Sequence, residues 1–315
     1  MEKIRVSIGT AAKLGLVSLK MDAPMYTAYM MTSEPCVASC AYCAQGYGIA
    51  SRLSRIVWPE YPFEDVLRAL REKPIFKRIC LQVTYNPRAH RDMILYTRVL
   101  SEIGKISVSF YPMNHYEIQA IKDAGADYIG ISLDVASKEL FKKYREYESI
   151  TWSNTLDMLM YAVEVFGRGR VTSHVIVGLG ENDKELIRVL ETLVDMGVIP
   201  SLMAFTPIKG TPLENLEPPP IERYRAIQVA LELIMSGVKF RDDNFDNNGK
   251  LRQYPLDEGV LSRVIKSTTF MVRGCPWCTR PYYNENPSRP YNLPKPIGDT
   301  RSLLLEAIKY VKSDS

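Results

Sequence analysis

The stretch YTAYMMTSEPCVASCAYCAQ, residues 26–45, decides how the rest of the chain is read. Its first part, Tyr26 to Met31, is a short apolar run of strand type, and it ends in a polar turn carrying Cys36, Cys40 and Cys43. Three thiols in one loop, with no fourth cysteine nearby, suit an iron-sulfur cubane better than a single ion. Such a cluster normally takes four cysteines, so three leave one iron open to a small molecule. A structural zinc site needs a fourth Cys or His at short spacing, and the nearest histidine is His90.

Outward from this loop, strand-type and helix-type segments alternate. Further strands are expected at Arg78 to Val83, Ile106 to Phe110, Tyr128 to Leu133, Val171 to Val177 and Ile199 to Phe205. Helical periodicity falls between them, at Phe63 to Arg71, Arg91 to Ile103, Tyr116 to Ala124, Lys138 to Tyr144, Thr151 to Phe166 and Asp183 to Met196. It returns at Ile221 to Ser236 and, in a shorter piece, at Leu256 to Ser267. Alternation of this kind implies parallel pairing through right-handed crossovers. Six units give an α/β fold, a partial TIM-type (β/α)6 barrel with ligands at the C-terminal ends of its strands. The expected division is an N-terminal extension over 1–25, the barrel over 26–240, and a C-terminal region over 241–315 that closes the open barrel.

Composition narrows the function class. The chain of 315 residues is 46% apolar and 24% charged, with a formal charge of +4, too weak to argue for nucleic acid. No apolar run approaches the roughly 18 residues that span a bilayer, and the first fifteen residues lack a signal-peptide core. A cytoplasmic location with no membrane partner is the expectation. With His90, His115 and His174 as its three histidines, the chain is poorly equipped for histidine-based general catalysis.

The other cysteines are Cys80, on the second strand, and the pair in GCPWCTRPYYNE, residues 274–285. Cys275 and Cys278 flanking Pro-Trp suit half of a second cluster, half of a zinc site, or a redox dithiol. No thioredoxin-like βαβ context surrounds them, which weighs against the dithiol. Cys80 could be a third thiolate, or simply a small buried residue in a strand. Three thiolates would again leave one iron to a weaker ligand such as a hydroxyl, and that suits a cluster that gives up sulfide.

The CxxxCxxC loop after a first strand, with an aromatic before its last cysteine, resembles the radical S-adenosylmethionine (radical SAM) superfamily. The resemblance implies a 4Fe-4S cluster on Cys36, Cys40 and Cys43 and a SAM molecule chelated to its open iron. Reductive cleavage would then yield a 5′-deoxyadenosyl radical. By the same resemblance Tyr42 lies beside the adenine, and VIVGLGE, residues 175–181, looks like the fifth-strand adenine segment that includes Gly178 and Glu181. Similarity is nearest to biotin synthase and its relatives, over about residues 26–240. It rests on YCAQ (42–45), DAGADY (123–128), SLD (132–134), VGLGE (177–181) and KGTPL (209–213). This implies cofactor contacts from Ser132 and Asp134, the latter to the ribose, and from Thr84 and Tyr85 near the methionine amino group. Biotin synthases place an arginine where this chain has Ile150, and Arg145 is the substitute.

Departures from that pattern carry further meaning. Of the three cysteines and one arginine that hold the sulfur-donating cluster of biotin synthases, Cys80 matches the first. Ser107 and Thr172 fall at the other two cysteine positions, and Asn244 or a neighbour at the arginine. Together with the C-terminal CPxCxRPYYNE, the chain looks like the two-component, LipS-type lipoyl synthases. That implies a sulfurtransferase inserting sulfur into an octanoyl chain on a carrier-protein lysine, an auxiliary 4Fe-4S cluster on Cys80, Cys275 and Cys278, a second radical SAM subunit and a low-potential electron donor. An apolar tunnel is expected from Tyr85, Phe110, Tyr111, Met113 and Met203. The rival readings are biotin-type sulfuration, a mutase, a cofactor maturase, and a non-enzymatic iron-sulfur or zinc scaffold.

Overall fold

The structure is a computed structural model that describes residues 3–49, 51–284 and 287–313. Glu285, the last residue of the C-terminal motif, lies outside the described residues. The elements in chain order begin with β1 (Lys3–Val6), α1 (Ile8–Leu14), β2 (Thr27–Thr32), β3 (Arg52–Leu53), β4 (Ile56–Val57), β5 (Glu60–Pro62) and α2 (Phe63–Glu72). The alternating body follows: β6 (Arg78–Gln82), α3 (Pro87–Ser101), β7 (Ile106–Ser109), α4 (His115–Asp123), β8 (Ala126–Gly130), α5 (Lys138–Tyr144), α6 (Trp152–Phe166), β9 (Val171–Val177), α7 (Asp183–Met196), β10 (Val198–Ala204) and α8 (Ile221–Met235). Two helices complete the chain, α9 (Glu258–Val264) and α10 (Arg301–Lys312).

All six expected strands form, and they pair in parallel in the order β2-β6-β7-β8-β9-β10. Their near-continuous burial explains the unbroken apolar runs, because helices cover one face of a parallel sheet and the barrel interior takes the other. Local chemistry sets the helix ends. Asn86 caps α3 with Pro87 at its first position, so that helix starts earlier than its apolar periodicity suggests. Asn182 and Glu185 form a reciprocal capping box on α7, and left-handed Gly197 ends it. The short α9 stops where Ile265 turns extended, inside the longer helix expected there.

Both ends of the chain add structure that periodicity did not indicate. β1 lies antiparallel between β2 and β5, extending the sheet past the barrel, and α10 packs its Leu304, Ala307 and Ile308 face against α8. No hydrogen bonds join β2 to β10. The C-terminal segment occupies that interval instead: Thr27 Oγ1 on β2 donates to the Trp277 carbonyl at 2.9 Å, and Ser201 Oγ on β10 donates to the Arg273 carbonyl at 2.5 Å.

Asp183 ties this segment to the body. Its carboxylate is buried and accepts from Arg223 Nε at 2.8 Å, the Leu251 N–H at 3.0 Å and Tyr310 Oη at 2.8 Å. Asp183→Ala therefore leaves the Leu251 N–H and the Tyr310 hydroxyl without this acceptor and Arg223 with Glu181 as its remaining carboxylate. The expected loss is about 3 kcal/mol, read as a lower urea midpoint; a midpoint equal to wild type would mean that the tail is held by α10 packing alone.

Candidate active site

The Cys36–Cys43 loop is fastened from three sides. Arg5 of β1 is buried beneath it and donates to the carbonyls of Ser33 and Glu34 at 2.8 and 3.0 Å and to Gln45 Oε1 at 2.7 Å. The Val37 N–H donates to the Tyr85 carbonyl and the Ala41 N–H to the Tyr144 carbonyl, at 2.9 and 2.8 Å. Gly46 closes the turn so tightly that a Cβ there would lie 2.3 Å from the Ala38 carbonyl oxygen.

This loop opens onto a cavity of about 250 Å3 at the C-terminal ends of the parallel strands. Cys36, Cys40, Tyr42 and Cys43 line it together with Thr84 and Tyr85 after β6, Ser132 and Asp134 after β8, and Arg145 after α5. Eight of the sequence-predicted residues of this site, with the three cysteines among them, thus face one space, and Arg145 makes the ninth. Tyr85, Phe110, Tyr111 and Met203 of the expected tunnel are in the wall; Met113 is not.

Tyr42, Asp134 and Arg145 form one buried network. Tyr42 Oη donates to Asp134 Oδ2 at 2.7 Å, and Arg145 Nη1 donates to the same oxygen at 2.6 Å and to Tyr42 Oη at 2.9 Å. Arg145 Nη1 also lies 3.7 Å from Cys40 Sγ, and Nη2 reaches the Ser132 carbonyl at 2.7 Å. Burial alone would depress the Arg145 guanidinium; Tyr42, Asp134 and Cys40 outweigh it and hold its pKa above the usual value. Asp134 adopts φ +63°, a conformation costly for a residue with a side chain and common at sites where function requires it.

Thr84 and Tyr85 spend part of their polar capacity on structure. Thr84 Oγ1 donates to the Glu34 carbonyl at 2.8 Å, and Tyr85 Oη pairs with Ser149 Oγ at 3.0 Å. Gly178 and Glu181 stand apart from the cavity lining. The Glu181 carboxylate accepts from the N–H groups of Gly178 and Leu179, both at 2.8 Å, and Arg223 covers it at 3.1 Å. Gly178 has φ +105°, and a Cβ there would lie 2.8 Å from Pro219, so packing alone requires glycine.

Beneath the first cavity lies a second, of about 20 Å3, on the barrel axis. Cys80 of β6 faces it with Cys275 and Cys278 of the tail, so three thiols separated by some two hundred residues share one wall. Ser107 and Thr172 line it too, whereas Asn244 sits in a tail turn with its side chain accepting from the Arg241 N–H at 2.7 Å. Two arginines line this cavity, Arg78, which is paired with Asp127, and Arg280. Tyr29 braces the tail: its hydroxyl accepts from the N–H groups of Thr279 and Arg280 at 3.2 and 3.0 Å, which leaves its proton for Cys278 Sγ at 3.6 Å.

The donor sets fit clusters better than single ions. Among the described residues no three His, Cys, Asp or Glu side chains converge on a point that one ion could occupy. Cysteines of a cubane ligate different irons and stand further apart. Burial raises the Cys43 and Cys80 thiols to about 12 and Cys275 to about 11, so loading must expel protons as thiolates form. The lower cavity as it stands is too small for a cubane, and the tip of the loop carrying Cys275 and Cys278, Pro276 and Trp277, is exposed to solvent.

The family model for the radical SAM superfamily matches residues 30–193, from β2 into α7. The chain belongs to the radical SAM superfamily. A biotin synthase of Acinetobacter calcoaceticus is 29% identical over 200 residues, 58% of this chain and 56% of that protein. One from Acidithiobacillus ferrooxidans is 29% identical over 195 residues, 58% of each. The chain thus matches under three fifths of the length of these relatives. A crystal structure of methylornithine synthase (PylB) superposes with TM-score 0.52 at 16% identity, covering 72% of this chain and 73% of that one. HydG, a maturase of the [FeFe]-hydrogenase, gives 0.53 at 14%, covering 66% and 50%. These two establish the shared barrel fold.

Membership implies a 4Fe-4S cluster and SAM, and over part of its length the chain is similar to biotin synthases. The residues facing the upper cavity fit that pair: three thiols in one loop, and a carboxylate held by Tyr42 and Arg145 where a polar ligand group can be met. Asp134→Ala should weaken SAM binding to the iron-loaded protein about tenfold or more, close to 1.4 kcal/mol, with iron content unchanged. Equilibrium dialysis decides it, and equal affinity removes Asp134 from the SAM site.

Proposed function

We propose that this enzyme is a sulfurtransferase, one component of a two-protein lipoyl synthase that inserts sulfur into an octanoyl chain on a carrier-protein lysine. The observation that carries the reading is the meeting of Cys80, Cys275 and Cys278 at one cavity directly below the SAM cavity. Two thiols from the tail and one from the barrel make a ligand set for an auxiliary 4Fe-4S cluster, and that cluster would lie on the inner side of any substrate reached from the SAM cavity.

When bound, SAM with its cluster supplies a radical able to abstract hydrogen from unactivated carbon, and the auxiliary cluster supplies sulfide. The protein's part is placement. Tyr85, Phe110, Tyr111 and Met203 present apolar surface to an alkyl chain and exclude water from it. Asp134, Arg145 and Tyr42 orient the nucleoside end, and Thr84 and Tyr85 stand beside the Cys loop where an amino group would be met. His174, at the cavity base, is kept neutral: burial, then the Arg280 and Arg145 charges, push its pKa well below the ordinary value. A neutral imidazole there, with Nδ1 held by Ser132 Oγ at 2.8 Å, adds no second positive charge to this wall.

Biotin-type sulfuration is the second reading, favoured by the names of the relatives. Against it stand the hydroxyls of Ser107 and Thr172 at two positions where the biotin synthase pattern has cysteines. The proposed partners are an octanoylated carrier domain, a second radical SAM subunit and a low-potential electron donor. A cytoplasmic site of action belongs to the same reading; among the described residues, no helix is long and apolar enough to cross a membrane.

Anaerobic reconstitution with iron and sulfide counts tests the ligand sets. Wild type should hold two clusters and the Cys275→Ala, Cys278→Ala variant one, with SAM cleavage to 5′-deoxyadenosine retained; equal counts would remove the auxiliary cluster and the sulfurtransferase with it. Cys36→Ala should abolish 5′-deoxyadenosine formation. An octanoyl-lysyl peptide, followed by mass spectrometry for thiolated product beside dethiobiotin as the competing substrate, separates the two readings.

A further inference from the structure

Two residues line both cavities, His174 of β9 and Arg280 of the tail. His174 is uncharged, as argued above, so of the two residues that line both cavities Arg280 is the cation. Arg280 is buried, and among the described residues its Nε has no hydrogen-bond partner. No carboxylate pairs with it among the described residues. The groups around it are the thiols of Cys278 and Cys80 and the phenols of Tyr283 and Tyr29, with the guanidinium 5.3 Å from the Tyr283 ring centroid.

A guanidinium cannot discharge by losing its proton, and burying one without an anion is costly. Its backbone is held against preference as well: φ is +37°, and the N–H is anchored by Tyr29 Oη at 3.0 Å. The other buried arginines of the two sites each have oxygen partners, Arg145 on Asp134 and Arg78 bidentate on Asp127 at 2.5 and 2.7 Å. Arg280 is thus a charge set in place for an anion that arrives from outside the chain.

We infer that Arg280 is the counter-charge and positioning residue of the auxiliary cluster, holding it on the side that faces the SAM cavity. The inference rests on the reading that Cys80, Cys275 and Cys278 bind that cluster. Thiolates and sulfides make such a cluster anionic, so a cation on its inner face raises its affinity and its reduction potential. It also biases the cluster toward the wall that a substrate radical would approach.

The test uses the full chain carrying Cys36→Ala, Cys40→Ala and Cys43→Ala, so that any iron and any electron paramagnetic resonance signal belong to the lower site. This background with Arg280 intact must retain one cluster; if it holds no iron, the cluster reading falls before Arg280 is touched. In the same background Arg280→Gln should lose iron to a chelator at least tenfold faster, with a more negative midpoint potential and an altered spectrum. Arg280→Lys should stay within threefold of the Arg280 protein. Iron loss, midpoint and spectrum all unchanged in Arg280→Gln would overturn the inference. Arg280→Gln with the first cluster's cysteines intact reports folding through that cluster. Should it be lost, Arg280→Lys decides: iron retained within threefold of the Arg280 protein supports the counter-charge, and iron lost at least tenfold faster overturns the proposal.

Discussion

The structure depends on the interval between β2 and β10. Six parallel strands of this length do not close on themselves, and no ladder joins the first to the last. Interior polar groups would face an open end unless another part of the chain met them. The tail does so, taking hydrogen bonds from Thr27 on one side and Ser201 on the other. The segment that satisfies these groups is also the one that carries Cys275, Cys278 and Arg280. Completing the barrel and building the second cavity are consequently one event in folding.

Charge is distributed to match. Arg5 lies under the Cys36–Cys43 loop, Arg145 reaches toward Cys40, and Arg280 stands among the lower thiols. Each guanidinium is buried, which opposes its charge, yet each is close to sulfur. Arg5 and Arg145 are further compensated by carbonyl and carboxylate oxygens, so they brace the loop in the absence of any ligand. Arg280 has no such oxygen among the described residues, and in that it differs from the other two.

Much of the fold was legible because strand type and helix period are local signals. The six barrel strands and the Cys loop could be read directly, and Asp134, Thr84 and Tyr85 followed from resemblance. What stayed hidden depends on contacts distant in sequence. Nothing near Arg5 announces that it holds a loop thirty residues away, and α10 is an ordinary amphipathic helix whose partner α8 becomes evident only in three dimensions. The VGLGE stretch shows the opposite difficulty. A glycine followed by a carboxylate looks like a ligand site, but Glu181 consumes the N–H groups that a ligand would need. Arg280 was in plain view two residues after Cys278; its place on the wall shared by both cavities was not, since that needs the tail threaded under the barrel.

The shared wall has halves of unequal rigidity. His174 belongs to a central strand, paired with β8 and β10 through its flanking residues, and its carbonyl accepts from the Asp134 N–H at 2.9 Å. Arg280 belongs to a turn with three left-handed side-chain-bearing residues, Trp277, Arg280 and Tyr282, at φ +64°, +37° and +59°. Backbone energy therefore favours relaxation on the tail side, while ladder hydrogen bonds oppose it on the β9 side. Of the two halves of the wall between the cavities, the tail is thus the strained one, and the ladder of β9 holds Asp134 in register with its neighbours.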